Sequence, residues 1–204
     1  MKLEGEGMII ELRPFGPRDL IGRIFMRDLG VLCGIFKAGQ VAKTKPLVGQ
    51  FGHASWSARL DSMLGSFHFE NEKNLVARIF GRKDELKYVT ACFDLLSKFL
   101  PERERYGRLF KETMRLISNP TGEEYLDWEL CLLSELGYGL ALDICGNCGA
   151  KETLGYISPK TGRAICEKCG RDFKDKLFEL PPDLNATKYF LEQISDLPPS
   201  RKII

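Results

Sequence analysis

CGNCGAKETLGYISPKTGRAICEKCG, residues 145–170, carries a Cys-x-x-Cys pair at each end and no cysteine between them. A Cys-x-x-Cys turn aims two thiolates at one point, and a second pair completes a tetrahedron around it. The C-x2-C-x17-C-x2-C spacing is that of a structural zinc site. Gly146 and Gly149 in the first pair, and Gly170 after the second, let backbone N–H groups approach the sulfurs. The intervening residues read as a hairpin with its turn at Pro159-Lys160-Thr161-Gly162. Four thiolates close the coordination shell, so one zinc ion on Cys145, Cys148, Cys166 and Cys169 would be structural, with no open position for water. Three other fates fit less well. Disulfides suit an exported protein, a redox dithiol needs one pair rather than two, and the knuckle-hairpin-knuckle spacing favours zinc over an iron–sulfur cluster.

The other three cysteines, Cys33, Cys92 and Cys131, lie in apolar surroundings and read as small buried hydrophobes. The whole chain has 204 residues, 44% hydrophobic and 28% charged, enough for one large domain or two small ones. Its apolar runs fall far short of the roughly 20 residues of a membrane span. The opening MKLEGEGMII carries acids and lacks a long apolar core, so it does not read as a secretory signal. The expected location is the cytoplasm.

Upstream of the cysteines the chain changes texture once. MIIELRPF, DLIGRIFMRD, GVLCGIFKAG and GSFHFEN are short runs rich in β-branched or aromatic residues, punctuated by Gly and Pro. About five strands in the first 80 residues predict a small closed barrel. ASWSARLDSML has helical spacing inside this strand region and is ambiguous. From DELKYVTACFDLLSKFL onward the apolar period becomes helical, with Leu86, Val89, Cys92 and Leu96 three or four residues apart. Pro101 ends that helix. ERERYGRLFKETMRLIS and EEYLDWELCLLSELGYG predict two more, the latter with Gly137 as its C-cap. PPDLNATKYFLEQIS predicts a terminal helix opened by prolines. The junction falls near residues 78–84, giving a barrel over 1–80 and a helical domain over 81–204 that contains the cysteine module, 143–172.

The chain lacks the parts of an enzyme. No phosphate-cradling glycine loop, nucleophile elbow or His-Glu-x-x-His motif occurs, and there are only two histidines, His53 and His68. His68-Phe69-Glu70 is an H-x-E, which zinc deaminases pair with P-C-x-x-C. Here Ile144 precedes Cys145, and a second cysteine pair would be left without a role. Charge points elsewhere. Net charge is only +2, yet residues 13–59 hold eight bases and two acids, a local balance of +6. A basic barrel is what single-strand binders use: cations track phosphates and an exposed ring stacks on bases. Arg13, Arg18, Arg23, Lys37, Lys43, Lys45 and Arg59 are the candidate phosphate contacts. The aromatics Phe15, Phe25, Phe36 and Phe51 are expected in the core, with Trp56 the exception offered for stacking. The rival to DNA binding is a zinc-ribbon interaction module without DNA activity.

At this point the chain resembles the RecO family of bacterial DNA repair and recombination mediators. GMIIELRPFGPRDLIGRIFMRDLGVLCGIFKAGQ and SARLDSMLGSFHFE resemble the family's opening segments. WELCLLSELGYGLALDICGNCG and GYISPKTGRAIC resemble the helix entering the zinc module and its hairpin. The resemblance implies an α+β protein, with an N-terminal OB-fold barrel followed by an all-α domain with an inserted four-cysteine zinc module. It implies binding of single- and double-stranded DNA, strand annealing, and work with RecR to assist RecA loading on DNA coated by single-strand binding protein. Such a protein is nucleoid-associated and not an enzyme. The acidic C-terminal tail of single-strand binding protein is expected in a basic, apolar groove of the helical domain, with Arg103, Arg105, Arg108 and Arg115 as candidates. Ala38 and Gln40 stand where the family often has a glycine and an arginine, which weakens the case for DNA contacts through that turn.

Overall fold

The computed structural model describes residues 1–60 and 63–204, with the backbone alone at Thr44. Residues 61 and 62 of the ambiguous ASWSARLDSML stretch therefore lie outside the described residues, while its opening ASWS belongs to a strand. The chain begins with five strands: β1 (Lys2–Phe15), β2 (Asp19–Met26), β3 (Gly30–Phe36), β4 (Gln50–Ser57) and β5 (Gly65–Asn74). They close into a barrel in the order β1-β2-β3-β5-β4. The β3–β5 pairing is parallel and the others antiparallel. β1 is long enough to serve two neighbours. Lys2–Met8 pair with β4, Gly7–Phe15 pair with β2, and an irregularity between Ile9 and Glu11 bends the strand from one to the other.

Period two explains the barrel's two buried faces. Ile9, Ile24, Leu32, Phe36, Ala54, Trp56, Phe67 and Phe69 fill the interior. Met8, Ile10, Phe25, Val31 and Phe51 point the other way and join the core of the helices. Trp56 is buried, donates its Nε1–H to the Cys33 carbonyl at 2.8 Å, and lies under the Arg103 guanidinium, 4.7 Å from the ring centre. A Cβ on Gly65 would meet that indole at 2.2 Å, so glycine is required there. Trp56 is core, and the expectation that it is available for stacking is corrected.

Between β3 and β4 stands α1 (Ala38–Thr44), where the sequence reading carried the strand on through Lys37-Ala38-Gly39. Seven residues are two turns, too short to show an apolar period, and Asp19 Oδ1 accepts the Ala38 N–H at 2.7 Å to start it. After β5 a 3₁₀ turn (Ala77–Ile79) leads to α2 (Lys83–Phe99), α3 (Gly107–Ser118) and α4 (Gly122–Glu135). α3 is shorter than expected. Residues 102–106 leave the helical path because Glu102 bridges Val31 of β3 and the Arg103 N–H donates to the Val31 carbonyl at 2.9 Å. Gly30 faces this segment: at φ +73°, an added Cβ would sit 1.7 Å from the Glu104 carbonyl oxygen. α4 closes on Gly137 as expected, with the Tyr138 N–H bonded to the Leu133 carbonyl and that of Gly137 to Ser134.

The cysteine module is a three-stranded sheet, ordered β7-β6-β8, from β6 (Leu154–Ile157), β7 (Ala164–Cys166) and β8 (Phe178–Glu179), with the one-turn α5 (Glu167–Gly170) after β7. The β6–β7 turn falls at 159–162, where the Gly162 N–H returns to the Ser158 carbonyl at 2.8 Å. α6 (Leu184–Glu192) starts on Asp183, whose carboxylate accepts the Asn185 and Ala186 N–H groups. Side-chain capping therefore opens it, where proline at the first helical position was expected. α7 (Pro199–Lys202) ends the chain. Among the described residues no helix is long and apolar enough to cross a membrane.

Candidate metal centre and nucleic-acid interface

Cys145 and Cys148 lie on the turn before β6, Cys166 ends β7 and Cys169 sits in α5. The hairpin folds one pair onto the other, so all four Sγ atoms lie within 4.8 Å of one another. Cys148 and Cys166 sulfurs are 3.7 Å apart, and all seven cysteines are free thiols. A disulfide needs about 2.05 Å. A tetrahedron with metal–sulfur bonds of about 2.3 Å has an edge of about 3.8 Å. The donor set fits a metal ion. Glycine is required at the second knuckle, where a Cβ on Gly170 would meet the Tyr156 ring at 2.5 Å.

Backbone groups prepare the sulfurs for charge. The Cys166 N–H points at Cys145 Sγ at 3.4 Å, and the Asn147 side-chain amide at Cys169 Sγ at 3.3 Å. Burial pushes the Cys145 thiol up, but donors from Cys148, Cys166 and Asn147 outweigh it and bring it down to about 6. At Cys169 the Asn147 amide pulls down, yet the crowded thiols of Cys166, Cys148 and Cys145 win and raise it to about 11. The Cys145 thiolate forms readily, while Cys169 holds its proton beside it. A cation displacing that proton would relieve the crowding.

The barrel cations do not form one patch. Arg13 lies two residues before the end of β1 and pairs with Glu11 at 3.3 Å; Arg18 is exposed in the β1–β2 turn. Lys37 is the N-cap of α1 and Lys43 lies in its last turn, and both line a groove of about 300 Å³ with Gly39, Gln40, Phe67 and His68. The Asp19–Ala38 hydrogen bond ties α1 to the β1–β2 turn, so Arg13, Arg18, Lys37 and Lys43 gather at one end of the barrel. Lys45 is exposed at the left-handed C-cap of α1, and Arg59 is exposed just past β4. Arg23 is turned away. Its guanidinium donates to the Ser97 carbonyl at 2.5 Å and the Leu100 carbonyl at 3.1 Å, where the negative end of the α2 dipole favours it.

The four arginines expected to line one basic groove are dispersed. Arg103 covers Trp56 and Arg105 is exposed in the irregular segment before α3. Arg115 is held by Glu112, Glu124 and Asp127, and only Arg108 shares its cavity. A larger groove of about 620 Å³ lies between three separate segments. Tyr138, Pro159, Lys160, Tyr189, Phe190 and Gln193 line it. No linear motif signals it, because the groove is assembled from the α4 exit, the hairpin turn and α6. Arg201 was also missed. It is buried against Glu129, with Nε to Oε1 at 2.5 Å and Nη2 to Oε2 at 3.0 Å, while Thr187 donates to Oε2 at 2.6 Å.

A family described as "Recombination protein O C terminal" matches residues 84–202, which run from α2 through α7 and include the cysteine module. The DNA repair protein RecO of Jannaschia sp. (strain CCS1) is 34% identical over 192 residues, covering 91% of this chain and 79% of the relative. The chain belongs to the RecO family. The RecO of Roseobacter denitrificans (strain ATCC 33942 / OCh 114) is 35% identical over 194 residues, 91% of this chain and 80% of the relative. That of Wolbachia sp. subsp. Drosophila simulans (strain wRi) is 34% identical over 193 residues, with 91% and 80% covered. The matches reach into the barrel, so RecO relatedness covers strands and helices alike. The name these relatives carry places the chain in DNA repair.

Proposed function

We propose that this RecO-family chain is a non-enzymatic mediator of DNA repair and homologous recombination. Its barrel, residues 1–80, is an OB-fold that binds single- and double-stranded DNA and draws complementary strands together. Residues 81–204 meet protein partners. With RecR it assists RecA loading on DNA coated by single-strand binding protein, in the cytoplasm at the nucleoid. One observation carries the reading: Arg18, Lys37 and Lys43 form no ion pair among the described residues, and they sit at one end of a closed five-stranded barrel. Cations without internal partners screen phosphates, and annealing needs two strands held close with their repulsion screened.

The metal is zinc, one per chain, held by Cys145, Cys148, Cys166 and Cys169. A 3.7 Å sulfur separation suits four-thiolate zinc, and a closed shell serves folding rather than chemistry. Zinc bound there would fix the hairpin turn that forms one wall of the groove around Tyr138, Lys160 and Phe190. That groove, lined by aromatic rings and one lysine, replaces the scattered arginines as the seat for the acidic tail of single-strand binding protein.

The test is annealing of complementary oligonucleotides by the purified chain. Annealing is expected without ATP, falling as salt rises. No annealing at low salt, or a requirement for ATP hydrolysis by this chain alone, would refute the mediator reading.

A further inference from the structure

Six aromatic side chains of the barrel, Phe25, Phe36, Phe51, Trp56, Phe67 and Phe69, are at most 5% exposed. Phe15 is 46% exposed. It is the one Phe or Trp ring that strands β1–β5 present to solvent among the described residues. It ends β1 opposite Asp19, between Arg13 and Arg18. Through the bond from the Ala38 N–H to Asp19, Lys37 is brought to the same turn. The turn is stiff in sequence: Pro14 and Pro17 flank Phe15-Gly16, with Gly16 at φ +67° and nothing within 4 Å of where its Cβ would be. A ring on a proline-braced turn loses little freedom when something stacks on it.

We infer that Phe15 is the base-stacking residue of the DNA interface and sets the chain's preference for single strands over duplex. This rests on the proposed DNA-binding reading of the barrel. Cations bind phosphates of either form, so they carry affinity without strand selectivity. An aromatic face takes a base only when that base has no stacking neighbour on that side, which a single strand offers and a duplex interior does not. One ring per barrel also leaves most bases uncovered and able to pair. The other strongly exposed ring near the barrel is Phe80, between β5 and α2. Its flanking Arg78 is engaged by the carbonyls of Ile117 and Ser118, and its Arg82 by Glu85 at 3.1 Å. Phe15 has Arg18 and Lys37 beside it without such partners.

The experiment is titration of the full zinc-loaded chain with a fluorescent dT oligonucleotide and with a duplex of the same length. Phe15→Ala is expected to weaken single-strand binding about 10-fold, the loss of one base stack. Duplex affinity and the single-strand salt slope should stay as in the parent, since no charge is removed. Phe15→Trp should restore single-strand binding, with its emission quenched on adding dT. Phe80→Ala should leave the ratio of the two affinities unchanged. Equal losses on both DNA forms, a Phe15→Ala change under twofold, or transfer of the effect to Phe80 would overturn the inference while leaving barrel DNA binding intact. If the parent binds neither form, the DNA-binding reading itself fails and the inference falls with it.

Discussion

Replacing Arg201 with methionine removes the guanidinium and keeps most of the side-chain length, so it isolates the buried ion pair. Glu129 is fully buried, and without Arg201 its carboxylate keeps the Thr187 hydroxyl at 2.6 Å, with the Tyr125 hydroxyl beside it, but no positive charge. Stranding one member of a buried pair costs about 3–5 kcal/mol. For a chain of this length each kcal/mol moves Tm by about 2–4 °C, so Tm should fall by roughly 6–20 °C. Glu129→Met alone should cost a comparable amount, because the stranded charge is then Arg201, left with the neutral Leu184 carbonyl at 2.7 Å, the Thr187 hydroxyl at 3.5 Å and the Tyr125 ring. The double variant should recover most of either loss, since replacing a whole buried pair with apolar groups is near neutral or stabilising. Thr187 keeps a fallback in that variant, the Leu184 carbonyl at 3.3 Å. Urea and thermal unfolding of the zinc-loaded chain, followed by circular dichroism, measure all four corners. If the single losses simply add in the double variant, the pair acts through packing and the electrostatic reasoning is wrong.

Two further outcomes are expected. Purified protein should hold about one zinc per chain by elemental analysis, and Cys166→Ser should lower that content and loosen the helical half, because binding free energy is also folding free energy; iron with visible absorbance would refute the zinc assignment. Lys37→Ala with Lys43→Ala should weaken binding to all DNA sequences alike and flatten the salt dependence by about one unit of slope per lost contact, read from binding titrations at several salt concentrations; an unchanged slope would move the phosphate contacts away from α1.

The cysteine module was legible because metal chemistry fixes spacing within a short stretch of chain. Two knuckles, a hairpin and a turn at 159–162 follow from 26 consecutive residues. The long helices were legible for a related reason, since their apolar period repeats often enough to be read. α1 was not, with two turns and no repeat. Side-chain direction was the harder quantity. Arg23 and Arg18 look alike in sequence, yet one caps α2 and the other faces solvent, a difference made by where a helix 74 residues later docks. Trp56 and Phe15 exchange their expected exposure for the same reason: Arg103 and Gly65 close over the indole, while Phe15 ends β1 at a turn that nothing covers at Gly16. Arg201 sits in a four-residue terminal helix that reads as a polar tail until Glu129 is seen beneath it.

The contacts between barrel and helices bear on how a mediator without an ATP cycle would act. The barrel meets the helices through polar groups as well as through shared core. Arg23 crosses from β2 to the carbonyl end of α2. Val31 takes Glu102 and Arg103 as an extra edge on β3, and Gly30 admits the Glu104 backbone too closely for any other residue. Phe25 reaches outward from the same strands and packs edge-on against Phe110 of α3, with ring centres 5.2 Å apart. All of these bonds converge on one side of β2 and β3, away from the β1–β2 turn and the bond between Asp19 and α1. The proposed DNA end of the barrel is thereby left uncovered, while its opposite flank is committed to the helices. Under the proposed reading, a strand held at Phe15, Arg18 and Lys37 and a partner tail held near Lys160 would engage surfaces that do not compete. Handing over DNA then requires both surfaces at once and no change of fold. A Gly30→Ala change, which leaves every proposed contact residue in place, should therefore damage partner-assisted loading and stability together, while the same barrel cations remain available to DNA.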